Sequence, residues 1–358
     1  MRRAIWAVTA TVLVACGGGD QSSPRGGADQ ASARGGGADL TGAGATFPYP
    51  VYSKWFYDYA QRTGVKINYQ SIGSGGGIRQ LTEGTVDFGA SDAPMSDEEM
   101  ATAGGDVLHF PTVIGAVAVT YNLPDVQETL RITPDILADI FLGEITKWDD
   151  PRLADLNSGI TLPSEDLLVV HRSDGSGTTF IFTDYLSSVS EAWRTGPGKG
   201  KEVRWPVGLG GKGNEGVAGQ VKQTPGSIGY VELAYANQND LAAAELRNRA
   251  GNFVAPSLAG ATAAAAGIAE SLPQDTDFRV SIVNAPGEEA YPISSFTWLL
   301  VHREMQDADV ARKLVDFIRW ALTAGEDEVA ALDYAPLPPN MVELEMEQLE
   351  AIEYPGKM

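Results

Sequence analysis

Apolar and polar positions recur along this chain with two different periods, and the changes of period mark its elements. Val51, Trp55, Phe56, Tyr59 and Ala60 share one helical face, which predicts a helix ended by Gly64. Val65, Ile67 and Tyr69 then alternate with polar neighbours, as a half-buried strand requires. A glycine-rich turn follows, and a short helix is expected through Leu81. "VDFGASD" reads as a short buried strand ending at Asp92. Ser96 and Glu99 have capping-box spacing for the next helix. Residues 107–121 are apolar and β-branched, which predicts a long extended segment. Thr133 and Pro134 predict a helix start, with a capping hydroxyl and a proline in the first turn. Further strands are expected at 166–170, at 227–233, in "RVSIVNA" and in "FTWLLVH". Helices are expected over 180–189 and over the alanine-rich 257–270. Val310, Leu314, Phe317, Ile318 and Ala321 predict one more, ending at Gly325. Strands that alternate with helices make an α/β class, whose ligands sit at the carboxyl ends of strands.

The N-terminus departs from this pattern. Arg2 and Arg3 precede an uncharged run over 4–15, too short for the ~20 residues of a membrane-spanning helix. The run ends in Leu-Val-Ala-Cys, and Cys16 is the single cysteine of the chain. This resembles a bacterial lipoprotein signal: residues 1–15 form the signal peptide, and Cys16 becomes acylated. Residues 16–39 lack large apolar side chains beyond that cysteine and read as a flexible tether.

The chain has 358 residues, 43% hydrophobic and 20% charged, enough for about two domains with a sizeable core. Its net charge of −21 argues against nucleic acid, whose binders present basic patches. Four short segments nevertheless carry the chemistry of an anion site. They are Gly42-Ala43-Gly44-Ala45-Thr46-Phe47, Gly73-Ser74-Gly75-Gly76-Gly77, Ser91-Asp92, and Arg172-Ser173-Asp174-Gly175-Ser176-Gly177-Thr178-Thr179. Three of them precede expected helices, where backbone N–H groups lack partners and carry partial positive charge. Such donors act at hydrogen-bond distance, inside a screening length of ~8 Å, so an acidic surface does not cancel them. Each glycine turn alone is only a turn; the argument is that four coincide.

Asp92 narrows the guest. A carboxylate only accepts hydrogen bonds, so it repels sulfate or molybdate but can take the proton that phosphate or arsenate keeps near neutrality. Asp174 is placed to pair with Arg172 and orient it. An enzyme is the rival class, for example a serine-dependent phosphoesterase. "SDGSG" lacks the first glycine of a G-x-S-x-G elbow, and the three histidines, His109, His171 and His302, read as structural. "GLGGKGNEG" has no Lys-Ser/Thr pair and reads as a turn before a helix, not a phosphate-binding P-loop. No metal or cofactor signature stands out. Trp148, Trp193, Trp205 and Trp298 read as core, and "ELEMEQLEAIE" as a solvated helix face.

The stretches "LTGAGATFPYPVYSKW", "YQSIGSGGGIRQL", "TVDFGASDAPMSDEE", "RSDGSGTTFIFTDYLS", "GLGGKGNEGVAGQVKQTPGSIGYVELAYA" and "LDYAPLP" closely resemble the substrate-binding proteins of ABC-type phosphate importers. The resemblance runs from about Leu40 to Pro338. It implies a type II periplasmic-binding-protein fold, with two α/β lobes closing on one phosphate. It places ligand residues at Thr46, Phe47 (through its N–H), Ser74, Asp92, Arg172, Ser176, Gly177 and Thr178, with Asp174 behind Arg172. Gly75 stands where some relatives have a second serine. The implied lobes are 40–113 plus 293–358, and 114–292, with chain crossings near 111–116 and 291–295. The implied partners are inorganic phosphate and membrane permease subunits. A monomer is expected, held by its lipid anchor to a cell-envelope membrane, in the periplasm or at the outer face of the plasma membrane.

Overall fold

The computed structural model describes residues 39–269, 272–273 and 276–357. The signal peptide, Cys16 and all of the tether but Asp39 lie outside the described residues.

The chain begins as strand β1 (Leu40–Gly44), helix α1 (Tyr49–Thr63), β2 (Ile67–Ser71), α2 (Ser74–Thr82), β3 (Phe88–Ser91) and α3 (Asp97–Thr102). The long β4 (Val107–Tyr121) follows, then β5 (Arg131–Ile132), α4 (Pro134–Leu142) and α5 (Pro151–Leu156). Next come β6 (Leu168–Arg172), α6 (Gly177–Val189), α7 (Glu191–Thr195), β7 (Leu209–Gly211), α8 (Gly213–Gln223), β8 (Ser227–Glu232) and α9 (Leu233–Gln238). Short strands β9 (Ala242–Ala243), β10 (Glu245–Arg247) and β11 (Phe253–Val254) lead to α10 (Leu258–Ala269) and β12 (Ser294–His302). The chain closes with α11 (Ala308–Ala321) and α12 (Pro339–Leu349).

Nine strands form one continuous sheet, ordered β2-β1-β3-β12-β4-β8-β6-β7, with β9 alongside β4; β11, β10 and β5 form a smaller one. Parallel pairs lie toward both ends of the large sheet, and the antiparallel β12 and β4 join them. β4 is buried over its whole length, which explains its largely apolar sequence: a strand covered on both faces has no polar alternation. Its first part pairs with β12 as far as Ala116, and its last part, from Val117, pairs with β8. The ladder with β12 slips at Pro111, which has no N–H to give, and a bulge takes up the extra residue. Trp55, Trp148, Trp193 and Trp298 are fully buried, and each large apolar side chain so removed from water contributes roughly 1.5–3 kcal/mol. Trp205 is half-buried, stacked on His171.

Several sequence expectations need correction. "RVSIVNA" forms no strand: Asn284 turns the chain at φ +52°, and Val280 N–H bonds locally to the Phe278 carbonyl. Its apolar residues are there because Ile282 fills core space, not because a ladder exists. Thr133 starts α4, but its hydroxyl makes no capping bond and is buried without a partner among the described residues. The strand expected at 166–170 is displaced to Leu168–Arg172, and the helix expected from Phe180 begins at Gly177. The last long amphipathic helix stops at Ala321; Gly325 sits in the turn beyond, its carbonyl held by the Trp55 indole at 2.9 Å. "ELEMEQLEAIE" is not solvated all round, because Glu345 of α12 is fully buried.

Candidate anion-binding cleft

The first segment leaves β1 through Gly44, at φ +147°, where an added Cβ would overlap the Ala90 carbonyl of β3. Only glycine permits that approach. The chain then turns through Thr46 and Phe47 into α1. Two buried tyrosines fix the turn: Tyr235 donates to the Thr46 carbonyl and Tyr334 to the Phe47 carbonyl, each at 2.6 Å. The Thr46 carbonyl shares its peptide plane with the Phe47 N–H, so Tyr235 fixes the direction of that N–H, which meets no acceptor among the described residues.

Ser74 opens α2, and Asp92 follows β3. Both are buried, and the Asp92 N–H donates to Ser74 Oγ at 3.1 Å. Thr297 of β12 donates to Asp92 Oδ1 at 2.8 Å, and Ser74 Oγ lies 3.5 Å from Oδ2. Burial pushes the Asp92 carboxyl up to about 7, against the hydrogen bond from Thr297 and the nearby charge of Arg172.

Arg172 ends β6. It is 3% exposed, so it is no surface ion pair. Asp174 grips it with two bonds, from Nε at 2.8 Å and from a terminal nitrogen at 2.6 Å. Burial alone would raise the Asp174 carboxyl, but Arg172 and the Gly213 N–H hold it below the ordinary range. The other terminal nitrogen donates to Thr178 Oγ1 at 3.3 Å. Ser176 caps α6, accepting from the Thr179 N–H at 3.0 Å, which leaves its own hydroxyl proton to give. The N–H groups of Gly177 and Thr178 open the helix and have no intrahelical acceptor.

These segments meet. An added Cβ on Gly177 would fall 2.5 Å from Asp92 Oδ2 and would also overlap Ser74 Oγ. Gly75 N–H donates to the Gly175 carbonyl at 2.9 Å, and a Cβ there would press on Gly175 at 3.2 Å, so glycine suits this face. At the rim, Lys201 pairs with Glu99 at 2.6 Å and Arg279 with Asp97 at 2.8 Å. All eight expected ligand residues therefore surround one cleft, with Asp174 behind Arg172. The histidines stand elsewhere: His109 accepts from Met95, His302 lies by the Leu81 carbonyl, and His171 turns to Trp205. Among the described residues, no group of three His, Cys, Asp or Glu side chains could hold a metal ion.

Comparison with known proteins bears on this cleft directly. Residues 26–324 match the family described as the PBP superfamily domain. The phosphate-binding protein PstS of Pasteurella multocida is 47% identical over 305 residues, which cover 85% of this chain and 88% of that protein. The phosphate-binding protein PstS of Methanocaldococcus jannaschii is 40% identical over 331 residues, covering 86% and 85%. The chain belongs to the PstS family within that superfamily. Among solved structures, a high affinity periplasmic phosphate-binding protein bound with phosphate aligns with a TM-score of 0.68 at 21% identity, covering 86% of this chain and 93% of that one. A phosphate-binding protein from Stenotrophomonas maltophilia aligns at 0.67 and 18% identity, covering 87% and 94%. At such identities the likeness speaks for the fold alone: α/β, two-lobed, of the type II periplasmic-binding-protein class.

Sequence reasoning missed two residues of this family member's cleft. Thr297 reads as one position in an apolar strand, and nothing local marks it as the partner of Asp92. Asn214 lies in "GLGGKGNEG", which reads as a mere turn. It is fully buried and bonds Thr46 and Thr178. A polar amide among glycines at a helix start was the available signal.

Proposed function

We propose that this chain binds inorganic phosphate outside the cytoplasm and delivers it to the membrane permease of an ABC-type importer, with no catalytic step. Thr46, the Phe47 N–H, Ser74, Asp92, Arg172, Ser176, Gly177 and Thr178 hold the anion, and Asp174 orients Arg172. One observation carries this reading: donors on loops from both halves of the sheet converge with the buried carboxyl of Asp92. Near neutrality phosphate brings a proton that Asp92 accepts, whereas sulfate brings none. The kinship with proteins named for phosphate binding supports the same guest.

The two lobes are 40–113 plus 293–358, and 114–292. The change of partner along β4 and the return of the chain in β12 support these limits. Phosphate then bridges the lobes and favours closure through contacts that the open form lacks. Residues 1–15 are removed, Cys16 is lipidated, and the glycine-rich tether lets a monomeric receptor reach the permease from the membrane surface. The sequence around Cys16 supports the anchor. Among the described residues, no helix is long and apolar enough to cross a membrane.

Calorimetric titration with phosphate, arsenate and sulfate tests the reading. Phosphate is expected to bind tightly and sulfate poorly. Arsenate, isosteric and protonated, fits the same donors, and binding tighter than phosphate would make it the preferred guest. Absence of phosphate binding would sink the proposal. Steady hydrolysis of a phosphate ester, lost in Ser176→Ala, would put the phosphoesterase in its place.

A further inference from the structure

Asn214, the second residue of α8, is fully buried, and its amide bonds groups from three other segments. Its Oδ1 accepts the Glu232 N–H at 3.0 Å. A backbone N–H can only donate, so this bond fixes which end of the amide is which. Its Nδ2 therefore faces the two threonines, donating to Thr46 Oγ1 at 2.8 Å and to Thr178 Oγ1 at 3.1 Å. Its own N–H donates to Thr46 Oγ1 as well, at 3.2 Å.

The threonines are constrained in turn. A hydroxyl has two acceptor sites and one proton. Both acceptor sites of Thr46 Oγ1 are taken by Asn214. Those of Thr178 Oγ1 are taken by Asn214 and Arg172. Neither hydroxyl has an acceptor for its proton among the described residues, although both residues are buried. A buried hydroxyl whose lone pairs are both occupied can only present its proton.

We infer that Asn214 is a positioning residue for anion recognition: one amide fills the acceptor sites of Thr46 and Thr178 together and compels both hydroxyls to donate into the cleft. This rests on the phosphate reading above and deepens it. Two freely rotating hydroxyls could offer a lone pair to an incoming oxyanion, and two compelled ones cannot. Asn214 and Thr46 lie in different proposed lobes, so the arrangement is completed only when the cleft shuts. The donor set is thus assembled by closure.

The test is a double-mutant cycle on the full chain, read as phosphate affinity by calorimetry, with wild type, Asn214→Ala, Thr178→Val and the double variant. Asn214→Ala is expected to weaken binding by ~10- to 100-fold. In the Thr178→Val background its effect is expected to be smaller by at least ~threefold, because one hydroxyl it acts through is gone. A role in packing alone would lower the melting temperature of Asn214→Ala and leave the phosphate affinity of its folded form within twofold of wild type. Losses that multiply to within threefold, or affinity within twofold of wild type in Asn214→Ala, overturn the inference and leave phosphate binding standing. If the alanine variant does not fold, the same cycle with Asn214→Ser decides by the same limits. A wild-type chain that takes no phosphate overturns the phosphate reading and this inference with it.

Discussion

Asp92 and Glu345 are removed from water to nearly the same degree, at 1% and 0% exposed, yet their surroundings differ. Asp92 accepts from Thr297, lies beside the Ser74 hydroxyl and feels the charge of Arg172. Glu345, on the inner face of α12, has no hydrogen-bond partner for either oxygen among the described residues. Burial raises both carboxyls, Asp92 to about 7 and Glu345 well above its ordinary value, the latter with some help from the charge of Glu326. The difference lies in what opposes burial. Asp92 is held near neutrality by partners that favour its charged form. Glu345 has nothing to favour its charge, so burial holds its carboxyl well above the ordinary range and costs stability. Burial alone does not set where a carboxyl titrates; its neighbours do.

Removing Arg172 breaks the comparison most sharply. Arg172→Ala takes the compensating cation from Asp92 and leaves the partly buried Asp174 with only the Gly213 N–H to balance its charge. The expected loss of phosphate affinity is roughly 3–5 kcal/mol, or ~100-fold or more. A loss below about 0.5 kcal/mol by calorimetry would contradict the assignment.

Asp92→Asn tests the proton directly. The amide donates permanently, as the protonated acid does, so phosphate affinity is expected to fall by ~tenfold at most. Discrimination against sulfate is expected to fall further. In the wild type, sulfate should compete better as pH falls through about 7, where Asp92 gains a proton and becomes a donor. In Asp92→Asn that pH dependence should vanish. Unchanged discrimination would refute the proton-acceptor role.

Glu345→Met is expected to stabilise the fold by about 1–2 kcal/mol at alkaline pH and to leave phosphate affinity alone. The folded value of Glu345 is raised, so the unfolded chain loses its proton first as pH rises, and stability falls from the ordinary glutamate range upward. Glu326, pushed up to about 8 chiefly by burial, acts in the same direction. Thermal melts between about pH 5 and pH 8 should therefore slope less in Glu345→Met than in wild type. An unchanged slope would show that Glu345 ionises freely.

The rim gives the smallest effect. Lys201 and Glu99 are partly solvated, so Lys201→Ala should cost under ~1 kcal/mol of affinity, and less in high salt. A larger, salt-independent loss would move this pair into the binding machinery.

By itself the sequence carried whatever depends on near neighbours in the chain. Helical spacing announced α1 and α11, and a long, largely apolar and β-branched run announced β4. Glycines and hydroxyls at helix starts announced the segments that meet in the candidate site, because unpaired N–H groups and backbone freedom are properties of a few consecutive residues. The spacing of Arg172 and Asp174 likewise announced their pair. Tertiary structure decided what depends on residues far apart in the chain. It alone brought Thr297 to Asp92, 205 positions away, and Asn214 to Thr46, 168 positions away. It turned Glu345 inward from a segment that reads as solvated, and it denied a ladder to residues 279–285 despite their apolar alternation. The physical reason is the same in each case. Periodicity records which side chains avoid water, but the partner that meets a buried group is chosen by packing between distant segments, on which local spacing is silent.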